Sequence, residues 1–179
     1  MNKIKKLLIF TVVALFAYNA NAQIQVTSSM DATASIVAPI LVTSTADMGF
    51  GKLSVTGVGT VTMSAADGTF QSTGAIQTLG TGVPGQVVIS GESGEAYQFT
   101  VTQVTQLTTG SLGTAVSKMP MTDFTVTVAG GSEVSAASAV TATLAAASET
   151  IKIGAKITTI AGQLTGAYEG AIAIVFEYQ

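Results

Sequence analysis

The last stretch of the chain, residues 166–179, constrains the fold more than any other part. Four large apolar residues recur there at every second position: Ile172, Ile174, Phe176 and Tyr178. In an extended chain their side chains share one face, so the stretch is predicted to be a β-strand with one apolar side. Because a single residue follows Tyr178, we expect an earlier segment or another molecule to cover that side.

The first 22 residues have the pattern of a secretory signal peptide. Three lysines within the first six residues precede an apolar run, 7–18, that is too short to span a bilayer. The small-residue sequence Ala20-Asn21-Ala22 is a typical cleavage site. We therefore expect cleavage between Ala22 and Gln23 and export of the remaining chain.

The exported chain is expected to be acidic. Without the signal peptide it keeps four lysines and no arginine against ten acidic residues, a net charge of −6. No basic stripe is available to bind a phosphate backbone, so nucleic acid is not an expected partner. The absence of cysteine excludes a disulfide framework, and no second apolar stretch is long enough for a membrane span.

Charged residues are scarce, at 9% of the chain, whereas Thr, Ser, Ala, Val and Gly are abundant. Little electrostatic repulsion then keeps neighbouring copies apart. This composition favours a protein that is packed against other molecules over a freely diffusing enzyme.

Alternating apolar and polar residues recur along most of the chain. The alternation over Ile24–Ile36 predicts one long strand or two consecutive ones, and Pro39 interrupts it. Similar patterns cover Tyr97–Val101, Phe124–Val128 and Ile151–Ile157. Eight to ten short strands joined by glycine-rich turns predict an all-β fold of two packed antiparallel sheets, a β-sandwich.

Residues 132–148 leave two interpretations open. Their alanines, with Ala136, Val140 and Leu144 spaced four apart, favour a helix. The alternation in Val140–Leu144, set among strands of similar length, favours a strand. We predict the strand.

The end of the chain resembles the C-terminal β-zipper of chaperone-usher pilins. It has a glycine fourteen places from the end, Gly166, a penultimate tyrosine, Tyr178, and alternating apolar residues between them: Ile172, Ile174 and Phe176. In pilins this strand borders an incomplete immunoglobulin-like sandwich. The resemblance implies that a periplasmic chaperone, and then the N-terminal extension of the next subunit, supplies the missing strand.

A wider pattern is similar to a bacterial secreted domain family of unknown function, related to spore coat protein U and to pilin-like sandwiches. The pattern joins Ala32-Thr33-Ala34, Pro39-Ile40, Asp47–Gly51 and Thr165–Gly170. Three features depart from the families. The chain lacks the pilin disulfide, its N-terminal extension is short, and Glu169 stands where the secreted family tends to have a small hydroxyl residue.

These patterns divide the chain into a signal peptide, 1–22, an N-terminal extension, 23–31, and an immunoglobulin-like β-sandwich, 32–179. Within the extension, Ile24, Val26 and Met30 have the spacing of a donor strand. The simpler alternative is that Ile24–Ile36 folds back in cis and completes the sandwich. Tyr168 is expected to hydrogen-bond the backbone, as tyrosines at strand corners do in such sandwiches.

No set of residues predicts catalysis. The chain has neither histidine nor cysteine and no Ser-x-x-Lys motif, so a nucleophile has no base. The acidic residues are scattered singly at turns, and we expect no catalytic residue, metal or cofactor.

The sequence therefore predicts a non-enzymatic structural subunit of a surface fibre or coat that passes through the periplasm, assembles with copies of itself and interacts with a chaperone and an outer-membrane usher. The alternative is a self-contained, adhesin-like binding module that uses loops such as Gly80–Gly85 or Gly110–Met119.

Overall fold

The computed structural model describes residues 26–102, 106–110 and 114–179. The chain divides into two units, Met1–Ser35 and Ile36–Gln179. In the first unit, the described residues 26–35 form no strand, and all their side chains are exposed. We call residues 23–35 the arm below. The second unit contains every described strand.

Eleven strands are described, together with a short 3-10 helix at Ala115–Ser117. The strands are β1 (Leu41–Ala46), β2 (Lys52–Met63), β3 (Phe70–Leu79), β4 (Gly85–Ser90), β5 (Ala96–Thr102), β6 (Gln106–Thr108), β7 (Lys118–Val128), β8 (Val134–Ser135), β9 (Val140–Thr143), β10 (Ser148–Thr159) and β11 (Ala173–Tyr178).

Strand β10 is the centre of the larger sheet. One edge of β10 pairs with β7, and the other pairs first with β4, through Ser148–Ile153, and then with β2, through Lys156–Thr159. Strand β1 extends the sheet beyond β4, and β3 extends it beyond β2. The smaller sheet has the order β11-β5-β9. All these pairings are antiparallel, so the predicted all-β fold with two antiparallel sheets is confirmed.

The core lies between the two sheets. Along its strands every second side chain is buried, as the alternation in the sequence predicts. Tyr97, Phe99 and Val101 of β5 are buried, as are Ile151, Ile153 and Ile157 of β10. Further core residues come from the neighbouring strands: Val61, Met63, Val87, Ile89, Met121, Phe124 and Val126. Burying side chains of this size contributes about 1.5–3 kcal/mol each, and with no cysteine this burial replaces covalent cross-links.

The strand predicted over Ile24–Ile36 is wrong for the described part of that range. Residues 26–40 carry no strand, and Met30 and Ile36 are 93% and 97% exposed. An extended segment needs a neighbouring strand to pair its backbone groups. Among the described residues, none pairs with this segment, so alternation alone does not make it a strand.

Two strands extend into glycine-rich regions. Strand β2 continues past Gly57 and Gly59, with a register shift between Val55 and Gly59. Strand β7 begins at Lys118, within the range Gly110–Met119 that was predicted to be a loop. In 132–148 the strand interpretation is confirmed, with Val140–Thr143 paired to β5.

Glu133 connects the β2–β3 turn to β7. Its carboxylate accepts hydrogen bonds from Ser64 Oγ at 3.0 Å, from Ala65 N at 3.2 Å and from Thr125 Oγ1. Partial burial acts to raise the pKa of Glu133, but these hydrogen bonds outweigh it and hold the pKa below its ordinary value. The charged carboxylate therefore stabilises the fold.

We expect this stabilisation to depend on pH. Because the folded pKa of Glu133 is lowered, its contribution is complete above the ordinary pKa of 4.5 and is lost as pH falls through the lower folded value. Glu133→Gln should cost about 1 kcal/mol at pH 7 and clearly less at pH 3, measured by urea unfolding at both pH values. Glu177→Gln, on the exposed side of β11, is the control and should change little at either pH. An equal loss for Glu133→Gln at both pH values would contradict the assignment.

Candidate functional site

The strands at the ends of both sheets have a free edge among the described residues, and two of them, β1 and β11, contribute residues to one groove. β11 pairs with β5 along one edge, and no strand of the described residues pairs with its other edge. β1 pairs with β4, and its other edge is likewise free among the described residues. Free edges expose rows of backbone N–H and C=O groups that can accept a further strand.

An apolar groove of about 1380 Å³ lies beside these edges. Ser44 and Ala46 of β1 line one side, and Ile172 and Ile174 line the other. Large apolar side chains are a major part of the remaining lining: Met48, Phe50, Leu53, Val55, Leu79, Val87, Leu107, Met119, Met121, Ile153, Ile157 and Leu164. Small and polar residues such as Ser54, Gln86, Gln163 and Thr165 line it as well. Asp47, Lys52 and Glu169 also border it.

The inward side of β1 is uncovered along this groove. Val42 pairs with the buried Ile89, and Ser44 pairs with the buried Val87, so both side chains point toward the core. Nevertheless Val42 is 43% exposed, and Ser44 is also exposed. These two core-facing side chains of β1 are therefore not covered by the described residues.

The four alternating apolar residues predicted for the last strand lie in two different environments. Ile172 and Ile174 are half-buried and line the groove. Phe176 instead stacks on Phe99, with ring centroids 5.3 Å apart, and Tyr178 lies at the end of the strand. The groove is therefore open beside the first part of β11.

Tyr178 anchors the beginning of the second unit. Its hydroxyl donates to Ala38 O at 2.9 Å and accepts from Glu92 N at 2.8 Å, while Ala38 N donates to Glu92 Oε2 at 3.3 Å. We call these three hydrogen bonds the latch. Gly91 is required beside it, because a Cβ at that position would clash with the Tyr178 hydroxyl oxygen.

Gly166 and Tyr168 stabilise the connection that leads into β11. A Cβ at Gly166 would come 2.5 Å from Thr109 Oγ1, so any larger residue there needs the Thr109 side chain to turn away. The Tyr168 hydroxyl lies 2.8 Å from Leu164 O and 3.1 Å from Val116 O, and accepts from Gln163 Nε2 at 2.7 Å. The predicted backbone hydrogen bonding of Tyr168 is confirmed.

Two of the three predicted donor residues are among the described residues. Val26 and Met30 are 84% and 93% exposed and belong to the first unit. Ile24, and the expected cleavage site at Ala22 and Gln23, lie outside the described residues.

Sequence reasoning missed several parts of the site. The inward face of β1, the latch at Ala38 and the need for Gly91 were not predicted, since they depend on which strand edges stay unpaired. Pro39 was the one available signal, because a proline there interrupts pairing just before β1.

Among the described residues, the acidic side chains form no group that could bind a metal ion. Among residues 26–102, 106–110 and 114–179, no three His, Cys, Asp or Glu residues come together. Within the same ranges, no helix has the length and apolarity needed to cross a bilayer.

The latch makes a testable prediction about Gly91 and Tyr178. Tyr178→Phe removes two hydrogen bonds and should destabilise the protein by about 1–2 kcal/mol. Gly91→Ala should cost at least as much in the parent, but clearly less in the Tyr178→Phe background, because the clashing oxygen is gone. Chemical denaturation of the four proteins measures this coupling. Additive losses would show that Gly91 does not accommodate the hydroxyl.

Comparisons with known proteins identify a family. A search of curated proteins and a search of solved structures found no significant match. A family model described as a domain of unknown function, DUF4402, matches residues 40–178, from the residue before β1 to the end of β11. The match spans both sheets and the groove between β1 and β11. The chain therefore belongs to the DUF4402 family of domains of unknown function.

Proposed function

We propose that the protein is an exported, non-enzymatic structural subunit of a cell-surface fibre or coat, whose copies join by β-strand complementation. In this proposal the arm of one copy adds a strand to the groove of another. Transit through the periplasm, a chaperone that covers the groove there and an outer-membrane usher belong to the same proposal.

The open groove between two free strand edges is the observation that carries the proposal. Residues of β1 and β11 line the groove, each strand has an unpaired edge, and large side chains of the core line it as well. A flat apolar patch buries side chains only, but a groove beside free strand edges can also pair the backbone of an added strand. An extended peptide therefore matches the groove better than a compact ligand.

The energy available is large compared with the stability of a domain. A strand in the groove would bury Val26 and Met30 of the arm and the exposed parts of Ile172 and Ile174, which contributes about 4–9 kcal/mol before the cost of ordering the arm. A whole domain has a net stability of about 5–15 kcal/mol. The isolated subunit is thus expected to be marginally stable and to gain much of its stability from its neighbour.

The arm has the properties of a donor strand. Val26 and Met30 lie on one face of an extended chain, together with Ser28 between them and Ile24 before them. No side chain in residues 26–35 is buried, so ordering the arm in a neighbour breaks no packing that the described chain makes.

The alternative function is a self-contained binding module. One of its predicted loops, Gly80–Gly85, is held in place because Val83 exchanges two backbone hydrogen bonds of 2.8 Å with Gly49. Part of the other loop, 111–113, lies outside the described residues. This alternative requires a stable monomer, and the following experiment distinguishes the two.

Removing the first part of the arm should abolish assembly. Protein that starts at Gln23 is expected to form a concentration-dependent series of oligomers, whereas protein lacking Gln23–Met30 should be monomeric with a lower melting temperature. Added peptide 23–36 should restore the melting temperature by several degrees, because it fills the groove. Native mass spectrometry and thermal unfolding report these results.

The control is the same peptide with Val26→Asp and Met30→Asp, which keeps its length but should not bind. A full-length protein that stays monomeric at high concentration, and is as stable as the shortened protein, would favour the binding module.

Charge inside the groove should block assembly without unfolding the subunit. Ser44→Asp places a carboxylate on the groove side of β1, where solvent reaches it in the single subunit but not beneath an added strand. Thr43→Asp, on the opposite face of the same exposed strand, is the matched control. We expect Ser44→Asp to lower oligomer content at least tenfold with a nearly unchanged melting temperature of the arm-deleted subunit. Equal assembly of the two variants would contradict the proposal.

A further inference from the structure

Chain length limits which part of the arm can reach the protein's own groove. The latch holds Ala38 beside Tyr178, and β1 begins at Leu41. A chain that turned at Ala38-Pro39 and ran back along the free edge of β1 would place residues 31–36 opposite its six residues. At about 3.3 Å per residue, residues 26–30 would then lie beyond that edge.

The segment within reach is poorly suited to fill the groove. Residues 31–36 read Asp-Ala-Thr-Ala-Ser-Ile. With residue 36 opposite Leu41, Ser35 and Thr33 lie opposite Val42 and Ser44 and share their groove side, together with Asp31. The apolar residues Ala32, Ala34 and Ile36 then point away from the groove. Three small polar side chains, one of them charged, leave most of a groove of about 1380 Å³ unfilled.

The segment beyond reach has the larger side chains. Val26 and Met30 are 84% and 93% exposed and share a face with Ala32 and Ala34, since all four have even numbers. In a second copy the distance limit disappears, because the donor's anchor lies on a different molecule. The small residues then only connect the donor's inserted segment to its own domain.

We infer that residues 31–36 are a spacer that prevents closure in cis, and that the groove takes the Val26–Met30 segment of a second copy. This inference rests on the proposed function, because it assumes that the groove accepts a strand. The partner is thus another molecule of this chain. Because the larger side chains lie in residues 26–30, beyond reach of the protein's own groove, the arm favours binding to a second copy over closing its own groove.

Deleting residues 32–36 from protein that starts at Gln23 tests the inference. All five are exposed, and no hydrogen bond found for the described residues involves them. After the deletion, Met30 takes the place of Ser35 and Val26 takes the place of Asp31, on the groove side. We expect a monomer at concentrations where the parent assembles, with a melting temperature at least about 5 °C above that of protein lacking the whole arm.

Deleting residues 31–36 is the matched control. It shortens the arm almost equally but turns Thr27 and Ser29 toward the groove, so it should give no stabilised monomer. The inference is overturned if the two deletions behave alike, or if the five-residue deletion assembles as the parent does. The comparison of the parent with the arm-deleted protein separately reports on the proposed function, which fails if the arm has no effect on assembly.

Discussion

The apolar side of the last strand must be covered, and this requirement organises the molecule. β5 forms backbone hydrogen bonds with one edge of β11. The aromatic contacts among Tyr97, Phe99 and Phe176 cover the apolar side of β11 toward its C-terminal end. Toward the N-terminal end of the strand, Ile172 and Ile174 face a groove. The sandwich is thus well packed at one end of β11 and open at the other, within a single continuous core.

The buried polar groups show how such a chain stays ordered without cross-links. Tyr97 is fully buried, and its hydroxyl donates to Glu149 at 3.2 Å, linking the smaller sheet to β10 of the larger one. Burial, together with the nearby Glu149 charge, raises the pKa of Tyr97 well above its usual value, so the hydroxyl remains a donor at every physiological pH. Glu133 ties a turn to β7 at the surface. These contacts fix the two sheets on which the groove depends.

The sequence predicted the parts that depend on local alternation and missed those that depend on long-range pairing. Tyr97, Phe99, Ile151 and Ile153 were placed correctly because a period of two reveals which side of a strand is buried. The alternation of Ile24–Ile36 was equally regular, yet residues 26–36 form no strand, since periodicity does not say whether a neighbour exists. For the same reason the groove side of β1 was missed, although Ile172 and Ile174 were singled out.

The location of the groove has a mechanical consequence. β1 belongs to the larger sheet and β11 to the smaller, so a segment held between them would be bonded to both layers at once. Pulling on such a joint along its length loads two ladders of hydrogen bonds in shear, and neither can open residue by residue while the other remains intact. A filament built this way would transmit tension directly through the hydrophobic interior of every subunit.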